Sequence, residues 1–268
     1  MSGRLAGRVR RASRGEALLV AALLGLAALA WAVTGQLAEP HMRFGLLTGA
    51  GEMRGQGGGA GSTLTVLGLF LVTWTVMMVA MMLPSALPAV VTYDRWAQRT
   101  GRSRGATLLF VSGYLLSWAA AGVVAYLLIV HLVPLLPTGD TGVRLGAAVL
   151  VVAGVYQFTP LKRACLRQCR SPMAFIAAYA APLQAGPLAR MRVGAAHGAY
   201  CLGCCWALMA VLLLLGMMSL TWMALVAAVV LVEKVLPHGG LVSGIIGGVL
   251  TAVGLVLLVG ATALPVLA

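Results

Sequence analysis

The chain has 268 residues, of which 61% are hydrophobic and only 9% charged, and it carries a formal net charge of +13. Soluble domains run at about 45–50% apolar and about 25% charged residues, so a soluble globule is excluded: too few polar side chains exist to cover its core. Intrinsic disorder is excluded for the opposite reason, since it requires low hydrophobicity.

A membrane-spanning helix needs about 20 mostly apolar residues. Seven such runs occur, over 16–36, 64–86, 106–133, 142–158, 194–216, 219–234 and 241–266. They predict an all-α polytopic membrane bundle, one transmembrane unit over 16–268 behind a basic stretch at 1–15. The fifth and sixth runs form one apolar stretch, divided here near 217–219 because a single helix of that length would far exceed a hydrocarbon core of about 30 Å. The first run, with a basic start and small residues around 28–32, also fits a secretory signal. Its length favours a retained anchor.

The basic residues fall in the gaps between the runs. Arg4, Arg8, Arg10, Arg11 and Arg14 precede the first, Arg95, Arg99, Arg102 and Arg104 follow the second, and Lys162, Arg163, Arg167, Arg170, Arg190 and Arg192 lie between the fourth and fifth. With Lys234, they leave only Arg43, Arg54 and Arg144 for the other side. The positive-inside rule then puts the amino end in the cytoplasm and the carboxyl end outside. No basic face carries interleaved aromatics, so the lipid bilayer, not nucleic acid, is the partner that this charge implies. The segment 48–62 reads as a Gly-rich outer loop. The inner loop 159–192 holds an apolar, proline-broken part at 172–188, which reads as re-entrant or interfacial.

Four motifs carry chemistry. The strongest, in the fifth run, is His197, Cys201, Cys204, Cys205 and Met209, spaced three and four apart so that they share one helix face. Thiolates and thioethers are soft ligands, suited to Cu(I). In the second run Met77 lies under Met81 and Met78 under Met82. If the second run heads inward and the fifth outward, both sets occupy the inner half of the bilayer. In the inner loop, Cys165 and Cys169 are one helical turn apart, with Lys162, Arg163, Arg167 and Arg170 placed to favour their thiolates. The sixth run begins with Trp222 and Met223 and ends at Glu233 and Lys234. Glu233 is a candidate proton acceptor or partner of Lys162 or an arginine, against a reading as an interfacial pair with Lys234 snorkelling outward. His41, His131 and His238 lie in or near loops and show no ligand spacing. All five cysteines fall on the cytoplasmic side or in the inner half, so a disulfide framework is not expected.

At 74–84, 156–172, 194–209 and 216–234 the chain resembles a bacterial family of predicted metal-binding integral membrane proteins, domain of unknown function 2182. The resemblance covers roughly 64–237 and implies a membrane bundle with its metal site at these motifs. The Met-x-x-x-Met spacing also resembles that of eukaryotic copper-uptake channels.

The expected function is copper handling: a protein that binds Cu(I) for transport or transfer across the cytoplasmic membrane, with a copper chaperone or another membrane protein as partner. Outer methionines Met209, Met217, Met218 and Met223 followed by inner thiols would grade affinity toward the cytoplasm. Two other classes remain open, a membrane thiol–disulfide oxidoreductase using Cys201 and Cys204 as a C-x-x-C pair and a metal-free scaffold for a membrane complex.

Overall fold

The computed structural model describes residues 2–37, 63–103, 105–132, 140–215 and 219–263. The Gly-rich loop 48–62, His41, Arg43, Arg54, Met217 and Met218 lie outside them. Among the described residues every regular element is a helix: α1 (Ser2–Leu37), α2 (Thr63–Arg99), α3 (Gly105–Leu132), α4 (Asp140–Tyr156), α5 (Pro160–Arg170), α6 (Pro172–Ala178), α7 (Ala180–Gln184), α8 (Pro187–Leu215), α9 (Leu220–Val235) and α10 (Gly239–Ala263).

Five of them hold stretches long and apolar enough to cross a membrane: Arg14–Gln36, Leu64–Arg99, Gly105–His131, Pro187–Leu214 and Gly239–Gly260. The fourth run becomes α4, which reaches spanning length only together with α5, across a bend of 62°. The sixth becomes α9, whose 16 residues cover about 24 Å, short of a core of about 30 Å. The seven expected spans thus become five, or six with the bent pair, among the described residues.

Two boundaries differ from the sequence pattern. First, α1 runs back through the basic stretch to Ser2. Second, α2 does not stop at 86 but passes through Pro84 and Pro88 to Arg99. Proline removes a backbone donor and usually kinks a helix, so Ala80 O and Pro84 O lose their intrahelical donors, yet α2 continues through both positions. Ser85 Oγ donates to Met82 O at 2.8 Å and Thr92 Oγ1 to Pro88 O at 2.7 Å. The 37 residues of α2 reach about 55 Å, so it extends well past any hydrocarbon layer. At its far end the Arg95 guanidinium pairs with Glu16 of α1, tying together the two ends that the charge pattern assigns to one side.

The core is built around α8, which packs against α3, α4, α5, α7 and α9, while α2 packs against α1, α3, α6 and α9. Close approach of α3 and α8 depends on small residues. A Cβ at Gly194 would lie 2.0 Å from Phe110 O, and one at Gly113 would lie 1.9 Å from Met191 O. Such small-residue interfaces let membrane helices touch backbone to backbone. Gly194→Val is therefore expected to destabilise the bundle by about 3 kcal/mol or more. The control is Gly25→Ala, where nothing lies within 4 Å. Thermal unfolding of the detergent-solubilised variants checks this; equal melting temperatures would refute it.

The apolar part of the inner loop forms no span. It folds into α6 and α7, which pack on α2 and α8 through buried Phe175, Ile176 and Leu183. With α5, they close one end of the bundle.

Candidate metal centre

One buried cluster contains all five cysteines together with Met77, Met78, Met81, Met82, Met209 and Met223. The residues come from α2, α5, α8 and α9, joined by Tyr114 and Trp118 of α3. The fifth-run and second-run motifs, expected in the same half of the bilayer, pack in this one cluster, and the inner-loop cysteines join them.

Helical spacing explains the arrangement within α8. Cys201, Cys204 and Cys205 lie on one face, and both Cys204 Sγ (3.1 Å) and Cys205 Sγ (2.9 Å) donate to Cys201 O. On α5, Cys165 and Cys169 turn inward while Arg163 and Arg167 are exposed. The arginines expected to sit beside these thiols instead face away, because an amphipathic helix puts its charges on the opposite side. Cys169 Sγ approaches Cys204 Sγ at 4.0 Å, linking α5 to α8. Gly203 makes room beside them: a Cβ there would lie 2.7 Å from Cys165 Sγ.

The two thiols of the C-x-x-C pair meet different partners. Cys204 faces Cys169, whereas Cys201 Sγ is 3.1 Å from Tyr114 Oη and 3.0 Å from Lys234 Nζ. Lys234 also donates to Ser85 Oγ at 3.1 Å. The side chain does not snorkel outward as its place at a helix end suggests. It is buried, because it lies on the face of α9 that carries buried Met223, Val226 and Val230. No carboxylate among the described residues pairs with it. Glu233 instead takes Lys162, at 2.7 Å, with both side chains 1% exposed. Its second oxygen, Oε1, has no hydrogen-bond partner.

His197 is buried but lies among rings, with Phe175 at 5.0 Å and Phe110 and Tyr114 each at 6.0 Å between centroids. Its Nδ1 has no hydrogen-bond partner. His131 and His238 are exposed. Tyr114 and Ser85, which touch the Cys201–Lys234 pair, carry no sequence signature. Pro84 beside the methionine stripe is the nearest hint to Ser85.

Among the described residues, no three His, Cys, Asp or Glu side chains converge into a group able to hold a metal ion. The donors fit a soft, low-coordinate cation nonetheless. With metal–thiolate bonds of about 2.3 Å, the value for zinc, two sulfurs on one ion lie about 3.8 Å apart at a tetrahedral angle and about 4.6 Å apart in line. The 4.0 Å between Cys169 and Cys204 falls within that interval, and thioethers surround the pair.

An all-helical bundle whose core gathers thiols and thioethers offers the donor chemistry that soft metals favour. A family model described as copper chaperone, PpoB2, matches residues 71–257, and the chain belongs to that family. The match agrees with the metal-related reading of the motifs and supplies a copper family in place of domain of unknown function 2182. No curated protein and no solved structure matches the chain.

Proposed function

We propose that the protein holds Cu(I) between Cys169 of α5 and Cys204 of α8 and passes it across the bacterial cytoplasmic membrane or on to a partner protein. The observation that carries this reading is the 4.0 Å approach of these sulfurs inside the methionine-lined cluster. Soft sulfur donors in a dry core favour Cu(I), whereas Cu(II) prefers nitrogen and oxygen in tetragonal array. Met209 and Met223, in the same cluster, give the ion weaker thioether stations before or after the thiols. Copper is cargo here, so the chain needs a site that loads and unloads, and two-coordinate binding suits exchange with an incoming thiol.

Charge supports the same reading. One Cu(I) on two thiolates has a net charge of −1, and burying an unbalanced charge is costly. The Lys234 ammonium, hydrogen-bonded to Cys201, supplies the balancing positive charge. The Lys162–Glu233 pair is neutral in itself. Lys234→Met is therefore expected to weaken Cu(I) binding about 10–100-fold, the scale of outer-shell losses. The metal-free protein should become no less stable, since it loses a buried cation. Competition with a Cu(I) chelator measures the first effect; an unchanged dissociation constant would refute the role.

Elemental analysis of protein purified in reducing buffer tests the whole proposal. About one copper per chain is expected. The triple variant Cys201→Ala/Cys204→Ala/Cys205→Ala should hold none; copper retained there would remove the site.

A further inference from the structure

We infer that the cleft between α5 and the start of α10 is a binding site for the phosphate headgroup of an anionic membrane lipid. The cleft, about 380 Å³, is lined by Pro160, Arg163, Leu166, Arg167, Arg170 and Gly240. That volume lies within the usual range of small-molecule pockets, about 300–1,000 Å³. Three guanidiniums border it and no carboxylate does. Positions 163, 167 and 170 follow the spacing of one helix face. Arg163 and Arg167 are exposed, and neither guanidinium is paired with a carboxylate among the described residues. Arg170 donates through Nη2 to Leu236 O at 2.7 Å and to Pro237 O, which fixes the far wall against the α9–α10 turn. Guanidinium forks suit phosphate oxygens.

The surroundings distinguish a lipid from a free anion. Phe158, Leu161, Met173, Leu236 and Leu241 flank the cleft in sequence and are all exposed large hydrophobics. A free phosphate leaves that apolar rim in water, whereas acyl chains cover it while the headgroup meets the arginines. The 62° bend after α4 turns α5 away from the spanning direction, the attitude of an interfacial amphipathic helix. Basic pockets between membrane helices bind anionic headgroups on the same physical grounds. The opposite face of α5 carries Cys165 and Cys169, so the headgroup fastens the helix that brings these thiols to α8.

The test uses the full chain purified with a mixture of phosphatidylglycerol and phosphatidylcholine, with retained lipid counted by native mass spectrometry. The chain should retain phosphatidylglycerol preferentially. Arg163→Gln/Arg167→Gln should retain about tenfold less, given the attraction of each basic side chain for anionic lipid. Arg99→Gln, an exposed arginine on α2, should match the unaltered chain. Equal retention by the double variant, or no preference for phosphatidylglycerol, would overturn the site. Displacement of the lipid by inorganic phosphate would overturn the lipid assignment in favour of a free anion. A variant-free check is the melting temperature in lipid nanodiscs, which should rise with phosphatidylglycerol and not with phosphatidylcholine; no rise would refute the proposal.

Discussion

Cys169→Ser should abolish tight copper binding while leaving the helical content intact. Cys169 and Cys204 come from different helices, and their sulfurs approach at 4.0 Å. Serine keeps the volume nearly constant but replaces a soft donor with a hard hydroxyl, which a Cu(I) ion does not favour. Outer-shell substitutions cost metal affinity about 10–100-fold, so removing one of two thiolate ligands should cost more than about a hundredfold. Cys165→Ser is the internal comparison. Cys165 shares the buried cluster and packs beside Gly203, but no sulfur–sulfur approach involves it, so its loss should cost less than that of Cys169. Chelator competition ranks the two variants, and X-ray absorption at the copper edge counts sulfur neighbours in the unaltered protein. If Cys165→Ser loses copper while Cys169→Ser keeps it, the α5–α8 pair is not the binding site. Copper bound mainly by nitrogen would move attention to His197, whose Nδ1 is unpartnered.

Legibility of this site differs residue by residue. The thiols and methionines were readable because helical spacing is local: 201, 204 and 205 share a face whatever α8 packs against, and so do 77 with 81 and 78 with 82. Their convergence was readable only as an expectation from topology, since nothing local makes α2, α5 and α8 meet. Tyr114 and Ser85 were not readable. Each is a single residue without a spacing motif, and Tyr114 reaches Cys201 only because glycines let α3 and α8 touch. The direction of Lys234 was left open for a related reason. A lysine at the end of an apolar run looks interfacial, but Lys234 continues the buried face of Met223, Val226 and Val230, so the amine points to Cys201. The length of α2 was missed because proline normally ends a helix, whereas the packing of α2 against α1, α3, α6 and α9 is not local to the sequence. Hydropathy alone marked the fourth and sixth runs as spans, but α4 carries Asp140 and Arg144, α9 ends in Glu233 and Lys234, and the two helices have 17 and 16 residues.

Glu233→Gln should destabilise the metal-free protein by about 3–5 kcal/mol, the range for breaking a buried ion pair. Lys162 donates to Glu233 at 2.7 Å with both side chains 1% exposed, so the variant leaves an ammonium in the core with only a neutral amide to face it. Lys162→Met should do comparable harm, since it leaves the carboxylate bare and Glu233 Oε1 already lacks a partner. The double variant Lys162→Met/Glu233→Leu separates the terms. It removes both charges at similar volume, and such replacements are often neutral or stabilising, so most of the lost stability should return. Thermal unfolding of the three variants in detergent measures the cycle. A double variant destabilised by the sum of the two single losses would mean that the side chains act through independent contacts, not through the pair. The consequence for the site follows from position. Lys162 precedes Cys165 and Cys169 on α5, and Glu233 precedes Lys234 on α9, so the pair pins together the two helices that bring thiols and counter-charge to α8. Both single variants should therefore also lose copper, whereas Arg95→Gln, which breaks the exposed pair with Glu16 at the end of α2, should change stability by no more than about 1 kcal/mol and leave copper in place.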